Sequence, residues 1–160
     1  MMSLKTNHVL KYIIRNYPYP YELTKTRTTK LVYLSDWYMA MQYGRQITDI
    51  SWFFDHYGPY VSDILDEADE DTLLRINKTV SAFGSTKYIV GAKYDKDALD
   101  YPSLSYEEQL IIDRVIEDTK QMSWNEFIDY VYSTYPIVNS NKYYTLDLVR
   151  LAIEFNMINP

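Results

Sequence analysis

The sequence predicts an α+β fold, mainly α-helical, with helices packed around a small antiparallel sheet in a single domain. Three observations support this prediction. Apolar residues recur at helical spacing in several segments, two segments open with a serine capping box, and two adjacent β-branched segments have the composition of paired strands. The length of 160 residues suits one domain, and the chain shows no internal repeat, low-complexity tract or flexible linker.

The first two helices are predicted from apolar spacing and from the residues that end them. Apolar residues within 10–17 follow the i, i+3, i+4, i+7 pattern, and the prolines of "YPYPY" end this helix because proline cannot continue it. A second helix is predicted over residues 24–43. Gly44 is its natural stop, since glycine readily takes the left-handed conformation.

The middle of the chain is predicted to hold short strands and one helix. Residues 50–54 alternate in polarity, which predicts a strand that breaks at Gly58, and Pro59 then lies in the first turn of a helix. The acidic run 66–71 is expected in solvent, as a helix end and loop. The segments "LLRINKTV" and "TKYIV" predict two strands joined by a hairpin connection at Gly84.

Two capping boxes predict the helices that follow. Ser105 with Glu108, and Ser123 with Glu126, have the required spacing, and their closeness along the chain predicts a helical hairpin. Pro136 is expected to end the second of these helices.

The C-terminal segment is predicted to hold one more helix. Apolar residues within 148–155 lie at helical spacing, and the helix is expected to end near residue 156. We therefore expect one domain over residues 1–160, of which 137–160 form a C-terminal helical extension.

Composition excludes several classes of protein. The absence of cysteine excludes a disulfide scaffold and thiolate metal ligands. No segment resembles a secretion leader or has the ~20 apolar residues that span a bilayer, so we expect a cytoplasmic protein without membrane contact. The 22 acidic and 16 basic residues disfavour nucleic acid as a partner, although phosphate contact at "TKTRTTK" stays open. The net charge is +3 over residues 1–60 and −9 over residues 61–160, which can orient an approaching partner.

Most patterns of catalysis and metal binding are missing. The sequence has no glycine-rich phosphate loop, zinc-protease motif or nucleophile elbow. Asp55 beside His56 is a candidate acid–base pair, although neighbours on a strand point to opposite faces. Glu107 with Glu108, like the acidic run, lacks the spacing of a calcium loop. We predict no catalytic residue, no metal and no cofactor.

The tyrosine content favours a protein that binds a partner. Eighteen tyrosines exceed what a core of this size readily buries, because each buried hydroxyl needs a hydrogen-bond partner. Tyrosine and tryptophan are also common anchors of protein interfaces. The prolines of "YPYPY" stiffen that segment, so its rings lose little entropy on binding.

Two blocks of sequence resemble one known family. The block "TTKLVYLSDWYMAMQYGRQITDISWFFDHYGPYVSDI" and the later "LSYEEQLIIDRVIEDTKQMSWNEFIDYVYSTYP" resemble, in order and spacing, the Panacea domain of SocA-like antitoxins. The resemblance implies that the motif residues of the first block are mainly fold-specifying, with Tyr57 packed beneath the Gly-Pro turn. These residues are Lys30, Leu31, Tyr33, Asp36, Tyr43, Gly44, Tyr57, Gly58 and Pro59.

The resemblance also implies a function. Family members are bacterial or phage antitoxins that bind and neutralise unrelated toxins, some of which block translation, and they are not known as enzymes. The leading hypothesis is an antitoxin that binds a cognate toxin directly. The alternatives are an adaptor that delivers a toxin to the protease ClpXP, and a small hydrolase or nucleotide-handling enzyme that uses Asp55 and His56. The candidate partner-binding residues are Tyr17, Tyr19, Tyr21, Leu148, Leu151 and Phe155.

Overall fold

A computed structural model describes residues 3–160 of the chain. The elements follow one another as α1 (Leu4–Asn16), α2 (Lys25–Tyr43), β1 (Trp52–Asp55), β2 (Gly58–Tyr60), α3 (Asp63–Glu70), β3 (Leu74–Val80), β4 (Thr86–Ala92), α4 (Tyr106–Thr119), α5 (Trp124–Tyr132), α6 (Tyr135–Val138), β5 (Thr145–Leu146) and α7 (Leu148–Ile158). Helices predominate, and both sheets are small and antiparallel. The predicted fold class, α+β and mainly α-helical, is confirmed.

The central element is α2, which is buried on all sides over residues 27–40. It contacts α1, α4, α7 and β2. Buried polar residues of such a helix need partners inside the protein. The Ser35 hydroxyl donates to the carbonyl of Leu31 at 2.8 Å, and the Thr29 hydroxyl donates to the carbonyl of Lys25 at 2.9 Å. The hydroxyls of Thr29 and Ser35 are therefore satisfied within the helix, whereas the buried Thr28 hydroxyl has no partner among the described residues.

The strands form two separate sheets instead of the one that was predicted. β1 lies between β2 and β5, and β3 pairs with β4 along its whole length, from Leu74 opposite Ala92 to Val80 opposite Thr86. The predicted hairpin is confirmed, and Gly84 has a positive φ of 81° in its connection. β5 was not predicted, because two residues are too short to show alternation.

The predicted helix ends are confirmed where the sequence carries a cap. Thr24 accepts a hydrogen bond from the backbone N–H of Arg27, and Gly44 ends α2 in the left-handed conformation. Both capping boxes are formed, the first by Ser105 and Glu108 at α4 and the second by Ser123 at α5. Side-chain capping therefore fixes these boundaries locally.

The two prolines that were used to place helix ends behave differently from the prediction. Pro59 lies in β2, and α3 begins only at Asp63. β2 is an edge strand, where proline is tolerated because its missing N–H is not needed by a further strand. Pro136 lies in the first turn of the short α6, and α5 has already ended at Tyr132.

The C-terminal segment packs closely against the rest of the fold. β5 pairs with β1, with Leu146 opposite Trp52, and α7 packs on α2. The description of residues 137–160 as an extension of one domain stays a prediction. No helix within residues 3–160 is both long enough and apolar enough to cross a membrane.

Candidate protein-binding surface

Asp36 shows how the motif residues in the middle of α2 organise the core. Its buried carboxylate accepts hydrogen bonds from the backbone N–H groups of Ile47 and Thr48 at 3.0 and 2.9 Å, and from the indole N–H of Trp52 at 2.9 Å. Burial raises the pKa of Asp36 to about 6, while these donors favour the ionised form. The carboxylate is therefore ionised at pH 7, and it fixes the loop between α2 and β1.

Tyr33 and Leu31 are also core residues. The Tyr33 hydroxyl lies 2.9 Å from the hydroxyl of Thr134, and its ring packs edge-on against Trp52 with 5.6 Å between the ring centres. Burial raises the pKa of Tyr33, so its hydroxyl stays protonated. Tyr33 thus joins α2 to β1 and to the connection between α5 and α6.

The remaining tyrosines of the motif are exposed. Tyr43 ends α2 with its ring largely in solvent, and Tyr57 projects from the turn between β1 and β2. The expected packing of Tyr57 beneath the Gly-Pro turn is wrong, because Tyr57 is 75% exposed and its ring packs edge-to-face with the His56 ring, with 4.6 Å between the ring centres. Gly58, with a φ of 102°, makes the turn.

Three of the six residues proposed to contact a partner are buried. Tyr17 is the C-cap residue of α1, and its hydroxyl accepts a hydrogen bond from Arg27 in the interior. Leu148 and Leu151 lie on the face of α7 that is turned inward. These three residues were wrong as surface candidates. Leu148 and Leu151 lie on a leucine-rich helical face, which the core takes up, and the Tyr17 hydroxyl finds its partner, Arg27, in the interior.

The other three candidates are accessible to different degrees. Phe155 is half-buried and packs edge-on against Trp37 and Tyr135. Tyr19 and Tyr21 are exposed. Which residues contact a partner stays a prediction.

The accessible tyrosines of the "YPYPY" segment belong to a larger surface around the N-terminal end of α2. A groove of about 550 Å³ is lined by Tyr21, Lys25, Tyr88 and Trp124 among others, and a smaller cavity of about 160 Å³ opens beside it. Lys25 lies on the wall of both. We call the exposed aromatic residues on this surface the aromatic rim, which consists of Tyr19, Tyr21, Tyr57, Tyr60, Tyr88 and Trp124.

Backbone contacts fix the segment that carries Tyr21. Pro20–Glu22 form one turn of 3-10 helix, and the next residue, Leu23, is buried. The carbonyl of Leu23 accepts a hydrogen bond from the N–H of Val90 in β4 at 2.8 Å, and Thr24 forms an isolated bridge with Ile89. Tyr21 is therefore presented from a segment that is held at its C-terminal end by β4.

Two buried cations lie beneath the rim. Arg27 is 3% exposed, donates one hydrogen bond to the Tyr17 hydroxyl at 3.2 Å, and lies 4.5 Å from the centre of the Phe127 ring. Lys30 is also 3% exposed and lines the smaller cavity. Burial lowers the pKa of Lys30 to about 8, and the nearby charge of Asp55 opposes that shift. In the described part of the chain neither cation has a carboxylate within 4 Å.

Sequence reasoning missed most of this surface. The rim is assembled from elements that are distant in the sequence, with Tyr57 and Tyr60 at β2, Tyr88 on β4, and Trp124 at the start of α5. A local signal exists only for Trp124, which directly follows a helix cap and therefore lies at an exposed helix end.

The structure does not orient Asp55 and His56 as an acid–base pair. The Asp55 carboxylate accepts a hydrogen bond from the backbone N–H of His56 at 2.8 Å, and the His56 ring lies 3.3 Å from the hydroxyl of Tyr143. The side chain of His56 thus has no contact with the carboxylate that would fix its tautomer. Across residues 3–160 no group of three or more histidine and acidic side chains is arranged to hold a metal ion.

Comparison with known proteins identifies a family for most of the chain. A family model described as "Antitoxin SocA-like, Panacea domain" matches residues 29–136, which is more than half of the 160 residues. The match includes the motif residues of α2 and ends at Pro136. No curated protein and no solved structure matches the chain.

Proposed function

The chain belongs to the SocA-like Panacea antitoxin family, and on this basis we propose that it neutralises a cognate toxin protein by binding it directly. An antitoxin role follows from membership of the family, whereas direct binding and the surface that performs it are our proposal. The observation that carries the proposal is the aromatic rim, which surrounds a groove at one end of the central helix.

The rim has the properties of a surface that binds protein. Tyrosine and tryptophan provide most anchors at protein interfaces, because they bury a large area and lose few side-chain torsions on binding. Tyr21, Tyr88 and Trp124 lie around a groove whose shape can accept a protruding segment of a partner. Trp124 lies on α5, Tyr88 on β4, and Tyr21 on the 3-10 turn that is hydrogen-bonded to β4, so the surface is ordered before binding.

The charge of this surface differs from that of the whole chain. Four basic and two acidic side chains line the groove and the smaller cavity, whereas the net charge of the chain is −6. A locally positive region on an acidic protein steers a negatively charged patch of a partner toward itself. We therefore expect the toxin to present an acidic surface to the rim.

The proposal is tested with two matched double variants. Tyr21→Ser with Tyr57→Ser removes two rim side chains that are 87% and 75% exposed. Tyr94→Ser with Tyr106→Ser removes two tyrosines that are 77% and 74% exposed and line neither cavity. Truncation of an interface anchor costs about 2 kcal/mol or more, so the first variant should lose at least thirtyfold in affinity.

The measurement is calorimetric titration of the toxin that co-purifies with the chain expressed from its own operon. The control variant should bind within about threefold of the unsubstituted chain, and circular dichroism checks that both variants are folded. Equal affinities of the rim variant and the unsubstituted chain would place the interface elsewhere. Neutralisation should also be stoichiometric in a purified assay without protease, and a requirement for added ClpXP would favour the adaptor instead.

A further inference from the structure

Several buried or half-buried acidic side chains have a partner within the chain. Glu108 is fully buried and forms ion pairs with Lys5 and with Arg45, the latter at 3.0 Å. Asp71 pairs with Lys11 at 3.0 Å and accepts a hydrogen bond from Asn7. Asp36 lies among backbone and side-chain donors. In each case, contacts within the chain offset the cost of removing a charge from water.

Arg27 and Lys30 are exceptions to this pattern. They lie three residues apart on α2, one helical turn, and they line two adjoining cavities. Arg27 has one hydrogen bond, to a neutral hydroxyl, and lies over the Phe127 ring, whereas Lys30 has no hydrogen bond to any described residue. A buried cation without an anionic partner is costly, so an anion that enters the cavity from outside gains a favourable contact.

We propose that these two cavities bind carboxylate side chains from an acidic segment of the toxin, one on Arg27 and one on Lys30. This inference rests on the proposed function, because the segment belongs to the partner that the antitoxin binds. The planar guanidinium of Arg27 can donate two parallel hydrogen bonds to a carboxylate, and the ammonium of Lys30 can donate from the wall of the smaller cavity.

The size and charge of the smaller cavity select this ligand. A cavity of about 150 Å³ holds a molecule the size of benzene, so about 160 Å³ has room for one carboxylate-bearing side chain. Asp55 lies on the same wall, and Glu22 lies at the neighbouring groove. These two acids repel a phosphate dianion more strongly than a carboxylate with one negative charge.

Asp55 also provides a test of the mechanism. Its charge acts on Lys30, but the two groups are more than 4 Å apart and form no ion pair. A carboxylate that binds Lys30 must tolerate this nearby negative charge. Asp55→Asn should therefore tighten the binding of an anion at Lys30, because it removes the negative charge that such an anion must approach.

The first experiment uses the full chain without toxin and acetate as the probe. NMR signals of the Lys30 side chain, assigned with the Lys30→Met variant, are followed during titration with sodium acetate, with sodium chloride as the ionic-strength control. We expect a saturable shift with acetate that chloride does not produce, and saturation at severalfold lower acetate in Asp55→Asn. Sodium phosphate should bind more weakly than acetate. A linear response to acetate, or tighter binding of phosphate, would overturn the inference.

The second experiment measures toxin affinity of Lys30→Met and of Arg27→Met. Lys93→Met is the control, because it removes the same charge from an exposed site that lines neither cavity. Because a hydrogen bond to a charged group is worth more than about 1.4 kcal/mol, toxin affinity should fall at least tenfold in Lys30→Met and in Arg27→Met. The affinity of the Lys93→Met control should stay within threefold of the unsubstituted chain. If the acidic toxin residue that contacts Lys30 is changed to its amide, the loss of binding free energy should not add to the loss caused by Lys30→Met.

The two levels of the proposal fail in different ways. If the unsubstituted chain binds its toxin and both cavity variants bind equally well, the carboxylate inference is wrong and the proposed function stands. If the unsubstituted chain does not bind the toxin, the proposed function itself is wrong. If Lys93→Met loses as much toxin affinity as Lys30→Met, the loss comes from the overall charge of the chain and not from a contact in the cavity. That result would overturn the inference.

Discussion

Replacement of Asp36 by asparagine tests the central polar contact of the fold. Asparagine keeps one oxygen for the N–H groups of Ile47 and Thr48, but its amide group replaces the oxygen that accepts from the Thr48 hydroxyl at 2.5 Å and from Trp52 at 2.9 Å. The hydroxyl can rotate, whereas the indole of the fully buried Trp52 cannot. An unsatisfied buried donor costs about 1–3 kcal/mol, and the weakened hydrogen bonds add about 1 kcal/mol.

The expected loss is therefore about 2–4 kcal/mol of the free energy of unfolding. For a chain of this length it corresponds to a fall of about 5 to 15 °C in melting temperature. Urea unfolding followed by tryptophan fluorescence and by circular dichroism gives the value. Because the pKa of Asp36 is raised to about 6, the comparison is made at pH 7.5, where the carboxylate is ionised.

Trp52→Phe supplies the matched control, because phenylalanine has no N–H to leave unsatisfied. In that background Asp36→Asn should cost at least 1 kcal/mol less than in the unsubstituted chain, which a double-mutant cycle measures. A loss below 1 kcal/mol for Asp36→Asn alone would show that the Trp52 indole finds another acceptor. Strict additivity of the two substitutions would refute the reasoning.

Two further predictions concern Gly58 and Lys30. Gly58→Val should lower the free energy of unfolding by about 1–3 kcal/mol, because φ is 102° at that position. Gly91→Val should be nearly neutral, because Gly91 lies in open space and has no positive φ. Equal melting temperatures of the two variants would contradict this prediction. Lys30→Met should be more stable than the unsubstituted chain below pH 8, by about 3 kcal/mol from the lowered pKa. Between pH 8 and 10.5 the unfolded state holds more protons at Lys30 than the folded state, so the stability of the unsubstituted chain rises with pH. The stability difference between Lys30→Met and the unsubstituted chain should therefore disappear over this range. A stability difference that does not change with pH would show that the charge of Lys30 is not its cause.

Local patterns were sufficient for the parts of the fold that are determined locally. The caps at Thr24, Gly44, Ser105 and Ser123 involve residues only a few positions apart, and all four boundaries were predicted correctly. The hairpin of β3 and β4 also depends on neighbouring residues. Such features need no knowledge of the tertiary structure.

Features that depend on distant residues were predicted less well. Pro59 is part of a strand because β1 pairs with it, and the buried Tyr17 hydroxyl accepts its hydrogen bond from Arg27, ten residues later. The same limit applies to the candidate surface. A search for clustered tyrosines along the chain identified Tyr19 and Tyr21, but it could not identify Tyr88 or Trp124, which join them only in the folded chain.

Under the proposed function, the position of the rim would allow one scaffold to bind different toxins. α2 is held by core contacts from Leu31 to Asp36, whereas the rim side chains come from the turns, β4 and α5 around its N-terminal end. Exposed substitutions of this kind change the free energy of unfolding by about 0.5 kcal/mol or less, but loss of one binding anchor changes affinity by about 2 kcal/mol or more. Several rim residues can therefore be substituted without unfolding the chain, because the summed cost stays below a typical free energy of unfolding of about 5–15 kcal/mol. If the rim binds the toxin as proposed, partner choice can vary there while the contacts of Asp36 and Tyr33 maintain the fold.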